Sequence, residues 1–139
     1  MTSDPELGDA APLERMRAWQ REGDSYVALS AEKGYAVLRR AADAYRSAEA
    51  LLDEIEVGVI ERLCLYAAHG RALLQLADNS DVDLASAAAT RLADALSLAR
   101  KHFPEGVVDI KLDLCRAEHV IALRCGRPAP RDHFDETYA

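Results

Sequence analysis

The chain has 139 residues, half of them apolar, which is enough for one domain with a substantial hydrophobic core. Its formal net charge of −7 at pH 7 argues against a broad nucleic-acid-binding surface, because neutralising phosphates requires a concentrated basic face. No apolar run approaches the roughly 18 residues of a membrane-spanning helix, and the first residues lack the basic and apolar segments of a secretion signal. We therefore expect a cytoplasmic protein that binds neither nucleic acid nor a membrane.

The apolar content is rich in alanine, and only 6% of the residues are aromatic, so helices can pack closely. Arginine greatly outnumbers lysine, which together with the alanine content is typical of a protein from a GC-rich bacterial genome. Cys64, Cys115 and Cys125 are scattered through helical segments. An odd number in this arrangement favours reduced thiols in a core over a disulfide framework.

The first predicted elements are a tail and two helices. Residues 1–11 are polar and acidic, a composition that predicts a flexible N-terminal tail. From Pro12 onward, apolar residues recur at helical spacing and predict a first helix that ends near Gly34. A second helix is predicted from Tyr35 until it fades in the acidic stretch 53–56.

The third and fourth helices are separated by a clear loop. Gly58 precedes the third helix, and Gly70 lies inside it, where glycine is less favourable than alanine. This placement predicts a close approach of a neighbouring helix at Gly70. Residues 78–81 predict a loop, and Asp81 or Asp83 can cap the fourth helix.

A fifth helix and a second tail complete the predicted order. The fourth helix has a basic last turn over 100–102 and is ended by Phe103 and Pro104, and the fifth begins near Glu105 and is closed by Gly126. Residues 127–139 predict another flexible tail. Between the tails, residues 12–126 predict one all-α domain of about five antiparallel helices, built as a stack of helical hairpins or as a closed bundle.

The tryptophan and four of the tyrosines follow helical spacing and are predicted to pack between helices with their polar ends at the edge of the core. They are Trp19, Tyr26, Tyr35, Tyr45 and Tyr66.

Several of these residues carry a resemblance to a known family. The segment 19–26 resembles the first-helix signature of a tetratricopeptide repeat, with Glu22 at the position where the family has leucine. The spacing of small and aromatic residues over 41–48 is similar to the second helix of that repeat. A second unit recurs over 66–73 and 92–104, at an interval longer than the family's period of about 34 residues.

The resemblance implies a non-enzymatic binding module without a cofactor, serving as an adaptor or regulatory subunit. In such proteins the first helices of the pairs line a concave face that receives a peptide or helix of a partner protein. The family's groove positions fall on Gln20, Asp24, Val27, Ala67, Arg71, Leu74, Lys111, Cys115 and Glu118. Among them, Arg71 and Lys111 would pair with carboxylates of the partner.

Two alternatives to a partner-binding groove remain open. A fifth helix without a partner in sequence leaves an apolar stripe, which two-fold pairing would cover in a homodimeric structural bundle. Cys115 and His119 lie one helical turn apart, and Cys64 and His69 form a less well aligned pair. The two pairs together would supply four zinc ligands. Alternatively, His119 would activate the Cys115 thiol as a nucleophile. The sequence contains neither a CxxC nor an HExxH motif in support of these sites.

Overall fold

The computed structural model describes residues 11–78 and 80–125, which are helical almost throughout and contain no strand. The helices are α1 (Pro12–Lys33), α2 (Tyr35–Ala50), α3 (Val59–Ala77), α4 (Val82–His102) and α5 (Val107–Cys125), with a 3-10 turn at Pro104–Gly106 before α5. The predicted all-α class is confirmed. The predicted tails, apart from Ala11, and the closing Gly126 lie outside the described residues.

Local chemistry explains why the helices begin and end where they do. Pro12 opens α1, since a first-turn residue needs no backbone N–H bond within the helix. Gly34 separates α1 from α2 with φ +84° and ψ −161°, a backbone conformation that is accessible essentially only to glycine. Of the two candidate caps of α4, the structure selects Asp81, whose Oδ1 accepts a hydrogen bond from the backbone N–H of Leu84 at 3.0 Å.

The helices stack in the order of the sequence. Each helix packs mainly against the preceding and following helices, α1 also touches α3, and α3 also touches α5. Within the described ranges, the backbone of α1 does not approach that of α5, and the backbone of α2 does not approach that of α4. The described helices therefore form an open stack of hairpins, with α1, α3 and α5 on one side.

Two large clusters of buried side chains and one small cluster hold the described helices together, and α3 contributes to all three. The cluster between α1, α2 and α3 includes Met16, Tyr45 and Leu65. The cluster between α3, α4 and α5 includes Leu92, which is fully buried, and many alanines. The predicted close approach at Gly70 is confirmed, because a Cβ at Gly70 would lie only 2.7 Å from Cγ of Leu92.

Two expectations about buried side chains are wrong. Tyr35 is 56% exposed because it is the first residue of α2 and lies at the turn between α1 and α2. Its hydroxyl donates a hydrogen bond to the Asp78 carboxylate. That hydrogen bond raises the pKa of Tyr35 above its usual value. Of the three free cysteines, only Cys115 is buried, whereas Cys64 and Cys125 lie on outer helix faces.

Candidate functional site

A depression of about 390 Å³ lies where α1, α2 and α3 meet, and we refer to it as the α1–α3 groove. It is lined by Asp24, Val27, Ala28, Tyr45, Ala68, Arg71, Ala72 and Gln75. The residues from α1 and those from α3 each recur three and four apart, so each set occupies one face of its helix. Three residues that the resemblance places on a concave face, namely Asp24, Val27 and Arg71, are brought together here.

Tyr45 anchors the α1 edge of the groove. Its hydroxyl donates a hydrogen bond to Oδ1 of Asp24 at 2.5 Å, although the tyrosine is only 2% exposed. Burial and this hydrogen bond to a carboxylate both raise the pKa of Tyr45 far above its usual value. The ring can lie against α1 only because the neighbouring residue is Gly23, where a Cβ would lie 2.6 Å from the Tyr45 ring.

We expect Tyr45→Phe to reduce the free energy of unfolding by about 0.5–1.5 kcal/mol at pH 7, the usual net contribution of one hydrogen bond. The folded state raises the pKa of Tyr45, so its contribution is complete below the unfolded pKa of about 10 and is lost as the pH rises further. Urea unfolding at several pH values therefore should show the advantage of the wild type shrinking above about pH 10.

The matched control for this change is Tyr26→Phe. Tyr26 packs against the same core cluster, and its hydroxyl makes no hydrogen bond with the described residues. An equal loss of stability in both variants, or a difference that does not change at alkaline pH, would contradict the role assigned to Tyr45.

Arg71 forms the opposite, cationic edge of the groove. Its Nε donates to Oδ2 of Asp113 at 2.7 Å, which ties α3 to α5. The Arg71 side chain remains 45% exposed, and this bond uses one of the five N–H donors of a guanidinium. The groove therefore has a carboxylate on its α1 edge and a guanidinium on its α3 edge.

The other residues implied by the resemblance lie outside the groove. Gln20 and Leu74 are partly buried, and Ala67 is buried in the core between α3 and α4. Lys111 is only 6% exposed, and both Lys111 and Glu118 interact within the chain. The expected pairing of Lys111 with a carboxylate of a partner is therefore wrong. The Lys111 side chain is shielded from solvent and already interacts with other residues of this chain.

The arrangement does not support an activated thiol or a shared zinc ion. Burial raises the pKa of the Cys115 thiol, and the nearby Glu118 raises it further, whereas a nucleophilic cysteine needs a lowered pKa. Among the described residues, no three or more histidine, cysteine, aspartate or glutamate side chains are grouped as a metal ion requires. Cys64, His69, Cys115 and His119 are thus not assembled into one site.

The structure also contains a cavity that the sequence analysis does not predict. It has a volume of about 370 Å³, and we refer to it as the α2–α4 cavity. It is lined by Arg46, Glu49, His69, Leu73, Ala87, Thr90 and Arg91. These residues come from three helices, so no local motif connects them. In the sequence, the only indication of this site is the position of His69. It is a polar residue one turn after the buried Leu65, on the face of α3 that packs into the core.

Glu49 and His69 form the polar centre of this cavity. Nδ1 of His69 lies 2.7 Å from Oε2 of Glu49, and their side chains are 5% and 13% exposed. Nη1 of Arg91 lies 3.7 Å from Oε1 of Glu49, and the Arg91 guanidinium stacks 5.5 Å from the centre of the Tyr66 ring. The cluster links α2, α3 and α4 at a point where their backbones leave space.

No helix in the described part of the chain is both long and apolar enough to cross a membrane. Comparison with known protein families, with curated proteins and with solved structures gives no match. The function must therefore be argued from the groove and the cavity themselves.

Proposed function

We propose that this chain is a non-enzymatic, cytoplasmic adaptor or regulatory subunit that binds a peptide or helix of another protein in the α1–α3 groove. The observation that carries this proposal is the pair of oppositely charged edges, Asp24 on α1 and Arg71 on α3, flanking a largely apolar floor. Such a floor with a few convergent polar groups is typical of binding clefts.

The floor of the groove suits a closely packed segment of polypeptide. Val27, Ala28, Ala68 and Ala72 contribute short side chains, which allow a partner backbone or a bulky partner side chain to approach α1 and α3. Peptide recognition commonly inserts apolar anchor residues into such a groove and fixes their register with charges at the rim.

The two edges determine which partner chemistry fits. An acidic side chain of the partner would face Arg71, whose terminal guanidinium nitrogens can bind a carboxylate in a bidentate manner. A basic or hydrogen-bond-donating side chain would face Asp24, which Tyr45 holds in place. The partner segment is thus expected to be apolar along one face and to carry both charges.

We expect Ala28→Trp to abolish capture of the partner, because the indole would fill the groove from an exposed position of α1. The measurement is affinity capture from the lysate of the native host, quantified by mass spectrometry. Ala31→Trp is the matched control, since Ala31 is also exposed on α1 but does not line the groove. Arg71→Glu should weaken capture about tenfold or more through charge repulsion, whereas Arg39→Glu should leave it unchanged.

Two results would overturn the proposal. Equal capture by the wild type and by Ala28→Trp would place the contact elsewhere on the surface. Recovery of the bait alone, at a molar mass near twice 15.2 kDa, would favour self-association instead.

The second candidate function is a homodimeric structural protein, and the outer face of α5 is the observation in its favour. Val108, Leu112 and Leu123 lie on one face of this helix and are 50%, 41% and 63% exposed. Exposed apolar side chains that share a helix face favour packing against another surface, and on this face the exposed Arg116 and His119 lie between Leu112 and Leu123. The molar mass of the purified protein distinguishes this candidate from a monomeric adaptor.

A further inference from the structure

The ring of His69 contains a buried nitrogen that has no hydrogen-bond partner among the described residues. The side chain is only 5% exposed, and its Nε2 atom is buried and makes no hydrogen bond within the described part of the chain. Leaving a buried polar atom unpaired costs on the order of 1–3 kcal/mol, so such atoms usually have a partner. His69 lines the α2–α4 cavity, which is the place where a bound molecule would supply that partner.

Glu49 is the partner of the other ring nitrogen of His69. The Glu49 carboxylate can only accept a hydrogen bond, so Nδ1 of His69 must donate at their separation of 2.7 Å. A protonated imidazole donates from both nitrogens. Nε2 accepts a hydrogen bond if the ring is neutral and donates one if the ring is protonated, and no described residue provides either partner.

The other polar residues of the wall indicate the charge of the missing acceptor. Arg46 and Arg91 bring two guanidinium groups to the cavity, and Thr90 brings a hydroxyl. Arg91 is paired with Asp94 at 3.3 Å and lies 3.7 Å from Glu49, whereas Arg46 enters no ion pair with a described residue. Two guanidinium groups and a hydroxyl beside the unpaired ring atom favour a negatively charged molecule with oxygen atoms as the occupant of the cavity.

Leu73 and Ala87 complete the wall with apolar surface, and the volume of about 370 Å³ is near the lower end of the range for small-molecule sites. We propose that the α2–α4 cavity binds a small oxyanion, a phosphate or a carboxylate, which makes a hydrogen bond with Nε2 of His69 and pairs with Arg46 and Arg91. The site is separate from the α1–α3 groove, and its occupancy does not depend on the function assigned to that groove.

The test is a titration of the full-length protein with inorganic phosphate and, separately, with succinate, at a constant ionic strength set by sodium chloride. The readout is the nitrogen NMR signals of the His69 ring. We expect a saturable change with at least one probe and a Kd of about 1 mM or tighter. A response to phosphate alone or to succinate alone would support the site and identify the head group that it prefers.

Arg46→Gln is the informative variant, because Arg46 is exposed and its removal leaves the core intact. The affinity should fall about tenfold, the expected loss for one charge-assisted hydrogen bond. Arg39→Gln is the matched control, since Arg39 is exposed on the same helix but does not line the cavity. The proposal is overturned if neither probe gives a saturable change, or if both variants bind as tightly as the wild type.

Discussion

Gly70→Ala is expected to lower the free energy of unfolding by about 1–3 kcal/mol, the range for overpacking a core, even though alanine is the better helix former. The added Cβ would lie 2.7 Å from Cγ, 2.9 Å from Cδ2 and 3.3 Å from the backbone nitrogen of Leu92. Two of these three atoms are the branch point of the Leu92 side chain and its backbone nitrogen, which cannot swing away as a free side-chain end can, so we expect the two helices to shift. Urea unfolding followed by circular dichroism measures the loss.

Gly58→Ala is the matched control for this change. Gly58 has φ −60° and ψ 149°, and apart from its immediate chain neighbours no described residue has an atom within 4 Å of an added Cβ. Alanine can adopt this conformation, so we expect a change within about 0.5 kcal/mol. If Gly70→Ala were as stable as Gly58→Ala, the close contact between α3 and α4 would be wrong.

The second large effect on stability is expected at the buried pair of Glu49 and His69. Glu49→Ala should lower the free energy of unfolding by about 1–3 kcal/mol, because His69 and Arg91 would both lose the carboxylate that faces them. The double variant with leucine at positions 49 and 69 should recover most of that loss or exceed wild-type stability. Replacing both members of a buried polar pair by apolar residues is often neutral or stabilising, whereas removing one is not.

Glu61→Ala provides the comparison for this experiment. Glu61 pairs with Arg17 through two hydrogen bonds of 2.8 and 3.1 Å at the surface, and solvent weakens such pairs. We expect a smaller loss of stability from Glu61→Ala than from Glu49→Ala in urea unfolding. Lower stability of the leucine double variant than of Glu49→Ala would contradict this expectation and would indicate that the pair stabilises the fold in its own right.

The helix order was predictable from the sequence because its stop and start signals are local. Gly34 and Pro104 act through their own backbone geometry, and Asp81 acts through a hydrogen bond three residues away. No knowledge of distant residues is needed to place them. The all-α class and the close approach at Gly70 follow from the same kind of information.

The candidate sites were predictable only in part, because they depend on how each helix is rotated about its axis. Asp24, Val27 and Arg71 meet in the groove as the resemblance implies, but Lys111 and Cys115 face inward. The rotation of α5 is set by packing of Ile110 and Leu114 against the core, which spacing alone does not determine. The pairing of Glu49 with His69 likewise arises from packing between residues 20 positions apart.

The third helix, α3, lies between the two large core clusters, and this position affects how the chain folds. Each helix packs mainly on its neighbours in sequence, so most contacts close short loops, and proteins of this kind fold within microseconds to milliseconds. In a stack of this type, each hairpin interface contributes its own increment of stability. Because α3 contributes to both large hydrophobic clusters, we expect its folding to join the two halves of the stack into one cooperative transition.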